Sequence, residues 1–240
     1  MTIVARGLKK IYNDRTVVND ITFEVHPGEV VGLLGPNGAG KTTTFYMLVG
    51  LVKPDGGRII VYDKDLTYEP IHKRARAGIG YLPQEPSIFR KLTVEENIML
   101  VLEMNKKLTD KQRKEKLDSL LEDFGLTKIQ KSASVQLSGG ERRRVEIARA
   151  LAADPKFILL DEPFTGIDPI AIMDIQQNIR ALVKRGIGIL LTDHNPKATL
   201  SICDRAHIIF DGSIKVAGTN TEVSNDPVAK KYYLGQDFEL

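Results

Sequence analysis

The stretch GPNGAGKTTT at 35–44 carries the plainest chemistry in the chain. It matches G-x-x-x-x-G-K-[ST], follows the apolar run VVGLLG and precedes a helical pattern, which is the setting such a loop requires. Gly35, Pro36, Asn37, Gly38, Ala39 and Gly40 would let backbone N–H groups curl around phosphate oxygens that a Cβ would keep away. Lys41 then supplies a point charge to the β- and γ-phosphates, Thr42 a hydroxyl to Mg²⁺, and Thr43 continues the first turn. FILLDEP at 157–163 supplies the complement, an apolar strand ending in Asp161 and Glu162 where open α/β sheets bind ligands. Because consecutive strand residues face opposite sides, Asp161 can serve a metal while Glu162 faces an attacking water. As general base, Glu162 would be worth roughly 10²–10⁴-fold in rate.

A third stretch is LSGGERRRV at 137–145. Ser138 and Glu141 have capping-box spacing for the helix that follows. Gly139 and Gly140 behind that cap each cost roughly 1 kcal/mol of helix propensity relative to Ala. The cost implies that something approaches the backbone closely, and a helix N-terminus favours an anion.

These residues need a scaffold, and hydropathy supplies it. IVARGL and DITFEV alternate like strands near a sheet edge, whereas VVGLLG at 30–35 is continuous and apolar, as in a buried parallel strand. Lys41 to Val49 reads as a helix stopped by Gly50, followed by strands at RIIVYD and GIGYLP. From Thr93 to Ala153 the pattern is helical and highly charged, with a capping box at Thr109 and Gln112 and a stop at Gly125. The run KQRKEK reads as a solvated helix face. Strands return at FILLD, IGILLT, AHIIF and SIKVAG, with a helix opened by Pro169 and running to about Gly186. The expected architecture is α/β: core 1–85 and 154–240, with a helical insert at about 86–153 in one domain of 1–240.

Composition narrows the class. The 240 residues are 42% hydrophobic and 27% charged, ordinary for a globular protein able to bury a full core. A net charge of +3 is slight and does not on its own argue for a nucleic-acid binder. The lone Cys203 excludes an internal disulfide, fits a reducing compartment and reads as a small buried apolar residue. MTIVARGLKK lacks the apolar core of a secretory signal, and the longest apolar runs, such as IGILL, are strand-sized. Direct membrane insertion is therefore not expected.

Taken together, GPNGAGKTT, LSGGE and FILLDE resemble the Walker A, signature and Walker B segments of ABC transporter ATPase subunits, along essentially the whole chain. The resemblance implies a P-loop NTPase (RecA-like) core with an antiparallel β subdomain and an inserted α-helical subdomain, using ATP and Mg²⁺. Gln84 in YLPQEP matches the family's Q-loop glutamine, which reaches the metal and the attacking water. His194 in LLTDHN matches the switch histidine, and Asp168 in GIDP the D-loop aspartate. Tyr12 matches the aromatic residue that stacks on adenine, with Arg15 flanking the base. The signature commonly ends in Gln where this chain has Glu141, so Ser138 and the amides of Gly139 and Gly140 become the expected donors. In the family that loop closes over ATP held by another subunit's Walker A. One copy of each implies a head-to-tail homodimer with two composite sites.

Ile88 and Phe89 are large apolar residues in a loop after two prolines, where turn chemistry is normally polar. They either cap a local core or form a surface. By resemblance this region receives a coupling helix from integral membrane transporter subunits, which makes Phe89 and Arg90 the candidate contacts. GIGYLPQEPSIFRKL, LSGGERRRVEIARAL, DPKFILLDEPF and YLGQDFEL are similar to the family's lipopolysaccharide-export branch. That branch implies membrane subunits of the LptF/LptG kind and a peripheral place on the cytoplasmic face of the inner membrane. The aromatic tail would support the dimer or the complex. Three alternatives stay open here: an ATPase for branched-chain amino acids, a soluble ABC protein acting on nucleic acid or the ribosome, and an inactive binding module. The intact Asp161–Glu162 pair and His194 oppose the last, and a P-loop kinase would have no use for LSGGE.

Overall fold

The computed structural model describes residues 2–240; Met1 lies outside the described residues. The chain opens with Ile3–Tyr12 (β1), Arg15–Val25 (β2), Val30–Leu34 (β3), Lys41–Val49 (α1) and Gly56–Val61 (β4). Lys64–Asp65 (β5), Ile71–Arg76 (α2) and Ile79–Leu82 (β6) precede the helices Val94–Met104 (α3), Asp110–Asp123 (α4) and Gly139–Leu151 (α5). Phe157–Asp161 (β7), Pro169–Lys184 (α6), Gly188–Thr192 (β8) and Pro196–Leu200 (α7) follow. Arg205–Phe210 (β9), Ser213–Thr219 (β10), Asn220–Asn225 (α8), Pro227–Ala229 (α9) and a wide turn at Lys230–Leu234 end the chain.

The continuous apolar runs become the interior of a six-stranded sheet ordered β10-β9-β3-β8-β7-β6. Strands β9, β3, β8, β7 and β6 run parallel, and every residue of β3, β7 and β8 is buried. Hydrophobic side chains on both faces are what a sheet covered on both sides demands. The alternating segments form the antiparallel sheet β2-β1-β4-β5 instead. At its tip, Asn13 and Asp14 have φ of 45° and 64°, as a two-residue hairpin turn requires, so Tyr12 and Arg15 pair across it. RIIVYD is shorter as a strand than its composition suggests: β4 stops at Val61 because Tyr62 and Asp63 turn with φ of 51° and 67°.

Between β6 and β7 the chain is helical. Thr93, Thr109 and Ser138 each accept a hydrogen bond from the amide three residues on, and Glu96, Gln112 and Glu141 return it. Ile88, Val94, Ile98, Leu102, Leu120, Phe124, Val145 and Ala148 join these helices to Leu160 and Leu191 of the sheet in one apolar cluster. Cys203 is buried in the same cluster, and burial pushes its thiol up. Among the described residues no helix is long and apolar enough to cross a membrane.

Candidate nucleotide site

Parallel strands deliver their C-terminal ends to one edge of the sheet. There β3 leads into residues 35–40, β8 into His194, β7 into Glu162 and β6 into Gln84. A cleft of about 330 Å³ opens at that edge, lined by Asn37, Gly38, Gly40, Lys41, Thr42 and Thr43 of the loop and α1. Gln84, Glu162 and His194 line its other side, and Val17 of β2 contributes as well.

Backbone geometry shapes the loop. Gly35, at φ 149°, lies so near the Ile209 carbonyl that a Cβ would meet its oxygen at 2.1 Å. At Gly40, with φ 102°, a Cβ would meet the Val17 carbonyl oxygen at 2.7 Å. Strand β2 therefore buttresses the loop directly. Among the described residues the amides of Gly38, Gly40, Lys41, Thr42 and Thr43 have no protein acceptor. These are the free donors of a helix N-terminus, aimed as an anion needs them. Lys41 is buried and donates to the Gly35 and Pro36 carbonyls at 2.7 and 2.9 Å, so its ammonium is held in the loop it serves. Burial lowers its pKa, against the attraction of Glu162 and Asp161.

The acidic pair departs from simple strand alternation. Strand β7 ends at Asp161, and Glu162 takes a left-handed conformation, φ 48°. A non-glycine residue pays roughly 1–2 kcal/mol for this. The Glu162 amide continues the pairing by donating to the Thr192 carbonyl at 2.8 Å, while its carboxylate turns to His194 Nε2 at 2.5 Å. Thr165 Oγ1 donates to the same carboxylate at 3.2 Å. The two acids thus diverge through a backbone reversal. Burial, with the Glu162 charge beside it, raises the Asp161 carboxyl from 3.8 to about 6. Such an acid calls for a cation. Asp161, Thr42 and Gln84 are oxygen donors, and one carboxylate with substrate phosphates is the usual Mg²⁺ arrangement.

Asp193, absent from the sequence reading, fastens two of these loops together. Its carboxylate accepts from the amides of Phe164 at 2.8 Å and Asn195 at 2.9 Å, bracketing Glu162 and His194. An apolar strand ending in an acid was the available signal, as at Asp161. Arg143 is likewise unforeseen: buried on α5, it donates to the carbonyls of Pro83 and Asp161 and to Glu146.

The signature loop lies outside this cleft. Ser138 caps α5, its amide donating to Glu141 Oε2 at 2.9 Å, and the hydrogen bonds from Ser138 hold the Glu141 carboxyl below its ordinary range. Gly140 has a packing reason that the sequence did not reveal: a Cβ there would lie 2.9 Å from the Ala171 Cβ of α6. Gly139 is exposed and has room for a Cβ, so packing within the chain gives no reason for a glycine there. Asp168 N-caps α6, accepting from the amides of Ile170 and Ala171. Tyr12 and Arg15 are exposed together at the hairpin tip, five and two residues from Val17 along the chain and outside the cleft lining.

On the helical side, Ile88 and Phe89 part company. Ile88 is buried in the core, whereas Phe89 is 48% exposed. The Phe89 ring lies 4.9 Å from the Arg149 guanidinium, and its amide and carbonyl are both tied to Asn97. Arg90 is exposed beside it. Nearby, a groove of about 300 Å³ runs between α2, β6 and α5, lined by Ile71, Tyr81, Val101 and Arg149 among others.

A parallel sheet that brings a phosphate loop, an acidic strand end and a histidine to one edge, with an antiparallel flank and a helical excursion, defines the ATP-binding subunits of ABC transporters. The ABC transporter family profile matches residues 18–165, so the chain belongs to that family and is an ATP-hydrolysing enzyme. Among its relatives, the lipopolysaccharide export system ATP-binding protein LptB of Haemophilus influenzae is 56% identical over 99% of both chains. LptB of Escherichia coli K12 is 54% identical over 100% of this chain and 99% of its own. A solved ATP-binding cassette of an ABC transporter, in its ADP conformation, superposes with a TM-score of 0.87 at 27% identity, covering 98% of this chain and 100% of the other.

Proposed function

We propose that this chain is the ATPase that powers lipopolysaccharide extraction from the inner membrane and its export toward the outer membrane. The observation that carries the substrate is 54–56% identity to LptB proteins along essentially the full length. It favours this reading over branched-chain amino acid transport and over a soluble nucleic-acid or ribosome factor. The chain acts as a single domain, with core 1–85 and 154–240 and insert 86–153, peripheral on the cytoplasmic face and held there by membrane subunits of the LptF/LptG kind.

In the site, the amides of Gly38, Gly40, Lys41, Thr42 and Thr43, with the Lys41 ammonium, receive the phosphates of ATP, and Tyr12, flanked by Arg15, faces its base. Thr42, Asp161 and Gln84 hold Mg²⁺, which when bound neutralises charge on the transferred phosphate. Glu162 takes the proton of the attacking water. His194, bonded to that carboxylate at 2.5 Å, keeps it aimed and contacts the γ-phosphate. Ser138, with the amides of Gly139 and Gly140, closes the site of a second copy, and the Asp168 loops meet between the two. The exposed serine and its position outside the chain's own cleft support this homodimer.

Phe89, an aromatic anchor held by Asn97 and Arg149, and Arg90 receive a helix of the membrane subunits beside the apolar groove. The test is affinity capture from detergent-solubilised membranes. Wild type should retain LptF/LptG-like subunits and Phe89→Ala should lose them, with the purified variant hydrolysing ATP at the wild-type rate. Capture of amino-acid permease subunits instead would refute the substrate assignment.

A further inference from the structure

The last residues of the chain reach the nucleotide edge. The wide turn at Lys230–Leu234, closed by the Gly235 amide on the Lys230 carbonyl at 2.9 Å, docks on an apolar cluster containing Leu34, Leu200 and Ile208. Leu34 immediately precedes the phosphate loop, and Leu200 belongs to the short helix after His194. Tyr232 turns outward and packs against Phe210, the rings tilted by 50° with centroids 4.8 Å apart. Tyr233 turns inward, joins that cluster, and sends its hydroxyl to the Asp193 carbonyl at 3.4 Å. Tyr233 thus touches both loops: its ring packs in the cluster that holds Leu34, and toward His194 it donates its hydroxyl. Burial pushes it up to about 12, which keeps the donated proton in place.

Those two loops carry the reacting groups. Gly35 opens the segment that holds Lys41, and Asp193 precedes His194. We propose that Tyr233 is a positioning residue for hydrolysis: with its ring packed beside the phosphate loop, its hydroxyl ties the His194 loop to that support so that His194 and Glu162 meet the γ-phosphate in register. This rests on the hydrolytic roles given above to His194 and Glu162.

The experiment compares steady-state ATPase kinetics and melting of full-length wild type, Tyr233→Phe, Tyr233→Ala, Tyr232→Phe and Glu162→Gln. Tyr233→Phe keeps the packing and removes one oxygen. Its kcat should fall about three- to tenfold, the scale of one hydrogen bond, with KM for ATP within about twofold and Tm close to wild type. Tyr233→Ala should lose both kcat and Tm, and Tyr232→Phe neither. Wild-type kcat in Tyr233→Phe, with Glu162→Gln inactive, overturns this inference alone. A Tm loss in Tyr233→Phe as large as in Tyr233→Ala also overturns it, since the hydroxyl would then hold the fold. Normal hydrolysis by Glu162→Gln overturns the reading of the site and this inference with it.

Discussion

Replacing Asp161 with Asn should stabilise the nucleotide-free protein while abolishing hydrolysis. Asp161 is 3% exposed, lies beside Glu162, and has its carboxyl raised from 3.8 to about 6. The folded state therefore holds a proton there over a pH window in which the unfolded chain has released it. Stability falls as pH climbs through that window; the penalty is complete above about pH 6 and absent below the unfolded value. A gap of about two pH units corresponds to roughly 3 kcal/mol. Asn keeps the shape and an acceptor for Tyr81 Oη, which lies 3.4 Å from the carboxylate, but must still be desolvated. The gain is thus about half of that ceiling or more, roughly 3–10 °C in Tm for a domain of this size. Differential scanning calorimetry of both proteins at pH 7.5 and pH 4 reads it, since other titrations cancel in the difference. Mg²⁺ with ATP should raise the wild-type Tm further than that of Asp161→Asn and close the gap. Equal or lower Tm for the variant at pH 7.5, or a gain undiminished at pH 4, would refute the reasoning.

Two further outcomes are expected. His207 is buried, neither ring nitrogen has a partner among the described residues, and burial with Arg205 nearby lowers its pKa from 6.5 to about 4. The unfolded chain binds the proton first, so stability is lost as pH falls from 6.5 towards 4, about 2 kcal/mol of it by pH 5; urea unfolding of His207→Leu at pH 7 and 5 should show that loss removed. Gly140→Ala should cost about 1–3 kcal/mol by crowding Ala171, whereas Gly139→Ala should leave Tm unchanged yet lose ATPase activity.

Long apolar runs were the most legible part of the fold, because burial on both faces of a sheet leaves no other pattern for VVGLL, FILLD and GILLT. The caps at Thr109 and Ser138 were equally readable, being local chemistry. What escaped was set at a distance or by backbone reversal. Strand alternation gave no hint that Glu162 would adopt a left-handed conformation. The reason for Gly140 lies on α6, some thirty residues away, and the link from Tyr233 to Asp193 spans 40 residues. Ile88 and Phe89 are adjacent and chemically alike, and only the packed helices decide which is inside.

Because β3, β8, β7 and β6 are immediate neighbours, the groups they deliver stand in a row whose pitch is the interstrand distance. Three steps of about 4.8 Å put the two outer loops roughly 14 Å apart. The sheet works as a ruler: hydrogen bonding between strands, a property of backbone alone, sets the gauge of the engine. The helices proposed to meet other proteins hang outside that ruler, so their surfaces can be redrawn for a different load without altering the gauge.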